Sequence, residues 1–280
     1  WKIMLLAELF HKVQRILERG ILATPDATQK IEQKRARIRE MLLQNFEEEA
    51  VQHLIDQTSS RYVLNTSLED MAVHFSMALN LGERTDDWKL EKRKGASVTR
   101  VIQITYDKPG LFSKMAGVFT LNNMEILSAS IFTLKNGLAF DTYEVTNPLD
   151  AYRETEQWVK AQNDLNAALD GRLMLDNLIQ EKRDVRLSRG YERPVKKKVA
   201  INNEDSDFFT LIEIRSGARF GLLYDLACVI SRMDLDIRTA KVNSDGEKLT
   251  GVFYVRDSAG EKIYEPDAME GARHQLMAAL

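Results

Sequence analysis

Apolar residues in the first part of the chain recur three and four positions apart, which is the spacing of helices with one buried face. Such runs cover residues 6–17 and 26–46, and a Ser67-x-x-Asp70 box predicts the start of a further helix. Residues 82–95 are polar and charged, which is typical of a linker. The sequence therefore predicts a helical region over residues 1–95 that ends in a linker.

From Ile102 onward the apolar period changes from helical to alternating. Ile102, Ile104 and Tyr106 predict one face of a strand, which runs through the turn Asp107-Lys108-Pro109-Gly110 into a helix. Strand-like runs follow at 125–134 and 138–145, and a helical pattern that Gly171 interrupts begins near residue 150. This β-α-β-β-α order is the beginning of a ferredoxin-like unit.

The same pattern returns about 110 residues later. Ile212 and Ile214 repeat the first strand at an offset of 110, and Gly221 repeats Gly110 at an offset of 111. This comparison predicts one extra residue in the second copy's first turn and one fewer in its hairpin at 244–247. Val199 to Ile201 predict one more short strand.

The predicted fold class is α+β, with an N-terminal helical region followed by two ferredoxin-like (βαββαβ) domains. The expected limits are 1–95 for the helical region and 96–190 for the first domain. Residues 191–280 then comprise a bridging strand and the second domain.

Candidate chemistry is concentrated in the turn of the first copy. Asp107 places a carboxylate beside the N-terminus of a helix, whose N–H groups attract an anion, so that the pair suits a zwitterion such as an amino acid. The second copy has Ala218-Arg219-Phe220-Gly221, which keeps the glycine but lacks the carboxylate and the proline. The alternative is that Asp107 merely caps the helix.

Composition narrows the classes of partner. The net charge of -3 and the pI of about 5.9 provide no electrostatic case for nucleic acid or an anionic membrane. A single cysteine, Cys228, excludes a disulfide framework, and no apolar run is long enough for a membrane span. We expect a cytoplasmic protein, cut from something longer because the chain begins at Trp1 within a helical pattern.

Catalytic motifs are incomplete. The Asp205-Ser-Asp207 and Asp234-Leu-Asp236 pairs lack the upstream Gly-Ser of a nucleotidyltransferase, and the four histidines are scattered. We therefore predict no catalytic residue, no metal site and no cofactor in these 280 residues.

With these residues in view, the chain resembles a known family. Asp107-Lys-Pro-Gly-Leu-Phe, Ile131-Phe-Thr and Gly137-Leu-Ala-Phe-Asp-Thr resemble the first of two C-terminal ACT domains in bacterial bifunctional uridylyltransferase/uridylyl-removing enzymes. Val199-Ala-Ile-Asn-Asn resembles the family's bridge between those domains, and Tyr62-Val-Leu-Asn-Thr-Ser resembles the segment that follows its HD domain.

The resemblance implies a glutamine-sensing regulatory region, with nucleotidyltransferase and hydrolase domains upstream that use magnesium and act on the nitrogen-regulatory PII protein. Self-association through the ACT sheets is a further implied contact. Asparagine is common in ACT binding sites where this chain has Glu125. The implied ligand-binding residues are Asp107, Lys108, Pro109, Gly110, Leu111 and Glu125.

Two other functions stay open from the residues. One is a stand-alone, non-catalytic tandem-ACT amino-acid sensor that acts through protein partners. The other is an interaction module whose sheets serve only to pair subunits. Catalytic motifs upstream of Trp1 would favour the enzyme over the first of these, and calorimetry with glutamine tests the second.

Overall fold

The N-terminal part of the described chain is a bundle of four helices, here called the helical module. The computed structural model describes residues 25–92, 96–187, 195–244 and 247–280, so the helix predicted over 6–17 lies outside the described residues. The Oγ of Ser67 accepts a hydrogen bond from the Asp70 N–H at 3.0 Å, which confirms the predicted cap. The module consists of α1 (Pro25–Leu42), α2 (Glu48–Gln57), α3 (Ser60–Asn65) and α4 (Leu68–Leu79).

The remainder of the described chain is organised around one antiparallel sheet. Its eight described strands lie in the order β1-β2-β4-β3-β7-β8-β6-β5, which confirms the α+β class. The strands are β1 (Asp86–Lys92), β2 (Val98–Tyr106), β3 (Ile126–Thr133), β4 (Leu138–Thr146), β5 (Lys198–Asn202), β6 (Thr210–Gly217), β7 (Leu235–Ser244) and β8 (Lys248–Asp257).

Helices cover both faces of the β2–β4 part of this sheet. Ile102, Ile104 and Phe140 face the helical module, whereas Val101 and Tyr143 face a second helical layer. Gly171, with φ of 72°, ends one helix of that layer before the next begins. The second layer consists of α5 (Leu111–Leu121), α6 (Glu154–Leu169), α7 (Leu175–Leu187), α8 (Leu222–Arg232) and α9 (Pro266–Ala279).

The prediction of a linker over residues 82–95 was wrong, because β1 lies within it. β1 pairs with β2 from Asp86↔Thr105 to Lys92↔Thr99 and forms one edge of the sheet. Its Trp88 packs on Phe119 and Trp158, while charged residues occupy most other positions. Charge on an edge strand opposes pairing with other chains, and it concealed the strand in the sequence pattern.

The edge strands also correct the expected order of elements. β1 and β5 each precede their β-α-β-β-α unit, whereas the predicted βαββαβ order places the last strand after it. The order is therefore ββαββαα in the first half and ββαββα in the second. The predicted domain limits at 96–190 and 191–280 stay a prediction.

The structure also corrects the alignment of the two copies. Ile212 and Ile214 pack in the same core as Val101, so the first strands correspond at an offset of 111 and not 110. Each turn between strand and helix then has four residues, 107–110 and 218–221, and the predicted extra residue is absent. The sequence comparison missed this because β2 is buried on both faces, so its apolar residues do not identify the helix side.

The two halves meet at β3 and β7 about an approximate twofold axis. Ala129 pairs with Ala240, its own counterpart at an offset of 111. Ser128 pairs with Lys241 and Ser130 with Thr239, so each pair exchanges equivalent positions as in an isologous dimer interface. This axis brings the turn of each half close to the start of the central strand of the other half.

Candidate functional site

A cleft opens between the first turn and the second half of the sheet, and we call it the first cleft. Its volume is about 420 Å³ including the space open to solvent. Residues from α5, β3, β4, α8 and β7 meet there. They are Asp107, Lys108, Gly110, Leu111, Phe112, Ser113, Ile131, Asp141, Ala227, Ser231, Leu235, Asp236, Ile237 and Arg238.

Gly110 begins α5 in the left-handed conformation, with φ of 75°. Any Cβ at this position would be strained and would lie 3.2 Å from the Ser113 Oγ and 3.3 Å from the Ser231 Oγ. The N-cap residue Gly110 has no side chain, and within the described residues the Asp107 carboxylate accepts from the Thr133 hydroxyl and not from an N–H of α5, which argues against the alternative that Asp107 only caps the helix. The first turn of the helix, with N–H groups that have no intrahelical partner, lines the cleft.

A chain of polar contacts joins the turn to the other half of the sheet. Asp107 Oδ2 accepts a hydrogen bond from the Thr133 hydroxyl at 2.8 Å. Arg238 donates to the same hydroxyl oxygen at 2.7 Å and to Asp236 at 3.1 Å. Partial burial and the nearby Asp107 carboxylate raise the pKa of Asp236, whereas Arg238 lowers it. The rim thus has two carboxylates, Asp107 and Asp236, that could accept from an ammonium group, together with the cations Lys108 and Arg238.

Asp141 forms the floor of the first cleft. Only 1% of its surface is exposed, and burial raises the pKa of its carboxyl to about 7. The Tyr143 hydroxyl donates to Oδ2 at 3.0 Å, whereas Oδ1 has no partner in the part of the chain that the structure describes. Gln103 lies directly opposite on β2, also buried, and neither polar atom of its amide has a partner.

The structure divides the predicted site residues between two places. Asp107, Lys108, Gly110 and Leu111 line the first cleft, and Pro109 belongs to the same exposed turn. Glu125 does not join them, because it lines a different cleft. The twofold relation between the halves brings its counterpart in the second copy, Asp236, beside Asp107.

Glu125 faces the turn of the second half in what we call the second cleft. This cleft is wider, about 1320 Å³ including the space open to solvent. Its lining includes the whole turn from Ala218 to Gly221. The two clefts occupy equivalent positions about the axis but contain different chemistry.

Arg183 from α7 occupies the end of α8 that faces the second cleft. Its guanidinium donates to the Phe220 carbonyl at 3.3 Å and to Asp225 at 2.9 Å. A Cβ added to Gly221 would lie only 2.8 Å from the Arg183 Nη2. The N-terminus of α8 is therefore covered by a cation, whereas that of α5 faces two serine hydroxyls.

Sequence reasoning missed Gln103, Asp141, Asp236 and Arg238 as site residues. Asp236 and Arg238 belong to the other half, and no local pattern connects them with the first turn. Asp141 did have a signal. When the two copies are aligned in the correct register, polar residues of the first copy are equivalent to apolar residues of the second.

The described ranges were also searched for metal sites and membrane-spanning helices. Within them, no group of three or more His, Cys, Asp or Glu side chains could hold a metal ion. No described helix combines the length and apolar character needed to cross a bilayer.

Most of the second half matches a protein-family model. Residues 206–278, which run from just before β6 nearly to the end of α9, match the family model described as "ACR family N-terminal ACT domain". This part of the chain is therefore similar to an ACT domain.

The particular relatives confirm the resemblance found in the sequence. The whole chain is homologous to proteins named bifunctional uridylyltransferase/uridylyl-removing enzyme, and it matches their C-terminal part. It is 30% identical to that of Gluconobacter oxydans (strain 621H) and 28% identical to those of Azospirillum brasilense and Nitrobacter hamburgensis. All of this chain is aligned in each case, but it spans about 30% of the length of each relative.

Proposed function

We propose that this chain is the glutamine-sensing regulatory region of a PII uridylyltransferase/uridylyl-removing enzyme that controls nitrogen assimilation. The first cleft carries the proposal. It combines an uncapped helix N-terminus, a glycine turn and several carboxyl groups where the two halves meet. Homology along the whole chain supports the enzyme assignment.

In this proposal each half is a ferredoxin-like ACT domain whose fourth strand has moved to its beginning. The edge positions of β1 and β5 support this interpretation, because they complete each four-stranded half. The uridylyl-transferring and uridylyl-removing domains would lie upstream, use magnesium and act on the PII protein in the cytoplasm. Glutamine would favour removal, and self-association through the sheet edges would pair whole subunits.

The charges of the first cleft suggest how an amino acid would bind. The ligand carboxylate would lie at the N-terminus of α5, where N–H groups and the helix dipole favour an anion. The ligand ammonium would lie between Asp107 and Asp236 at the rim. Its side chain would then extend inward, toward Asp141.

The test is calorimetry of the full chain with glutamine at millimolar concentration. We expect one site per chain, and Asp107→Ala should weaken binding roughly tenfold or more, since it removes one ammonium partner. The matched change in the other copy, Ala218→Asp, should leave affinity and stoichiometry unchanged, because Arg183 covers the N-terminus of α8. No heat with the wild-type chain, or equal losses with both variants, would contradict the proposal.

A further inference from the structure

Three buried polar side chains underlie the first cleft, and none of them has a polar counterpart in the second half. They are Gln103, Asp141 and Tyr143. Residues of β2 correspond to residues of β6 at an offset of 111, and residues of β4 correspond to residues of β8 at an offset of 110. The counterparts in the second half are Ile214, Gly251 and Phe253.

Strand pairing shows that these are equivalent positions. Gln103 lies opposite Asp141 on β2 and β4, and Ile214 lies opposite Gly251 on β6 and β8. The Phe253 ring fills the space beside Gly251, at 3.0 Å from where a Cβ would lie. The second half therefore builds the same part of the fold without any polar side chain at the three positions.

Because the second half has no polar side chain at the equivalent positions, the fold itself does not require the three polar side chains of the first half. Burying a carboxyl and a primary amide costs stability unless each finds hydrogen-bonding partners. In the first half the Asp141 Oδ1 and both polar atoms of the Gln103 amide have none among the described residues. Asp141 lines the cleft, so a molecule that reached its inner end would lie against this carboxyl group.

We propose that Asp141 determines ligand specificity by accepting a hydrogen bond from an N–H at the inner end of the ligand. The ligand class is an amino acid with a primary carboxamide, and the corresponding carboxylate is rejected. This inference rests on the proposed function and adds the residue that distinguishes glutamine from glutamate. Gln103 lies opposite Asp141 on β2, and its amide NH2 and carbonyl groups have no hydrogen-bonding partner among the described residues.

The selection follows from charge in a site with little water. A carboxamide presents an N–H to the ionised Asp141, whereas a carboxylate would place two like charges together where solvent screens them poorly. The charged and titratable groups around Asp141 are Tyr143, Asp107 and Arg238. Protonation of Asp141 below about pH 7 removes the repulsion, so the preference for glutamine should weaken in acid.

Calorimetry with glutamine and with glutamate at about pH 8 tests this inference, since Asp141 is then mostly ionised. The wild-type chain should prefer glutamine by roughly a hundredfold, and Asp141→Asn should reduce that preference roughly tenfold or more, because an amide can donate to a carboxylate. As the control, Asp236→Asn makes the same isosteric change at the rim. It should weaken both ligands equally and leave the ratio of their affinities unchanged.

The outcomes separate the two proposals. If the wild-type chain binds neither ligand, the sensor function itself fails. If it binds glutamine but Asp141→Asn keeps the full preference, the sensor function stands and the role of Asp141 is refuted. If Asp141→Asn does not fold, the wild-type chain provides the test. Its affinity for glutamine relative to glutamate must rise between about pH 6 and about pH 8, and a constant ratio refutes the inference.

Discussion

At the residue scale, the position of Asp141 is where the two homologous halves differ most clearly in chemistry. Its carboxyl is buried in the first half, while the second half has Gly251 at the equivalent place. Burial is the largest cause of its raised pKa, and the Tyr143 hydroxyl and Arg238 oppose that effect. The folded chain therefore holds this proton more tightly than the unfolded chain does.

The stability of the free protein should reflect this difference in proton affinity. An acid whose pKa is raised by folding stabilises the fold below its unfolded pKa and loses that contribution as the pH rises through the folded value of about 7. Asp141→Asn does not titrate, so its free energy of unfolding relative to the wild type should increase by about 2–3 kcal/mol between about pH 5 and about pH 8. Urea unfolding of both proteins at each pH measures this change. A difference that does not vary with pH would show that Asp141 is already ionised near pH 5.

At the scale of elements, the tight contact among α5, α7 and α8 joins the two halves on the helical side of the sheet. Gly117 of α5 lies against the Tyr224 ring of α8 and the Leu175 side chain of α7. The Tyr224 hydroxyl also donates to Asp176 at 2.7 Å, which fixes the ring. Since α5 begins and α8 ends at the first cleft, this contact positions two of its walls.

Gly117→Ala should therefore destabilise the protein although alanine is the better helix former. Its Cβ would lie 2.9 Å from two carbons of the Tyr224 ring and 3.0 Å from Leu175, so the helices must separate. We expect a loss of about 1–2 kcal/mol, because overpacking outweighs the gain in helix propensity. Thermal or urea unfolding measures the change.

Gly271→Ala in α9 is the matched control. It is also a helical glycine, but nothing lies within 4 Å of the added Cβ. We expect it to stabilise the protein by up to about 1 kcal/mol through helix propensity. If both variants were stabilising, the contact among α5, α7 and α8 would not be tightly packed.

At the scale of the whole molecule, the helical module is held on the sheet by polar as well as apolar contacts. His74 of α4 is buried, with Nδ1 3.0 Å from the Tyr62 hydroxyl and Nε2 3.2 Å from the Thr142 hydroxyl of β4. Arg100 of β2 pairs with Asp70 at 2.6 Å. β4 thus contacts the first cleft through Asp141 and the helical module through Thr142, which lies on its opposite face.

The module should respond to acid through His74. Burial and, to a smaller extent, the nearby Arg100 lower the pKa of His74 to about 4, so the neutral ring is favoured in the folded chain. Its contribution to stability is complete above the unfolded pKa of about 6.5 and is lost as the pH falls toward 4. His74→Gln should remove an acid destabilisation of about 3 kcal/mol in this window, measured by urea unfolding.

As the pH falls, protonation of Asp141 stabilises the fold whereas protonation of His74 destabilises it. The pH dependence of wild-type stability alone therefore does not isolate the contribution of either group. The difference between the wild type and each variant does. If the His74→Gln difference is constant between about pH 6.5 and about pH 4, the imidazole is not buried as a neutral group.

The sequence by itself determined most of the elements and the presence of two copies. Helical and alternating periods, the Ser67 cap and the Gly110 turn are local features, and local spacing records them directly. The charged edge strand β1 was the exception, because its partner and not its own pattern makes it a strand.

Only the tertiary structure decided which residues form the site. Asp107 meets Asp236 and not Glu125 because the halves pair through Ala129 and Ala240, a contact between residues more than a hundred positions apart. The direction of Gln103 and Asp141 toward the cleft likewise depends on strand register, since a shift of one residue reverses the face of every side chain. Local periodicity predicts what a segment becomes, whereas pairing and register decide what its side chains touch.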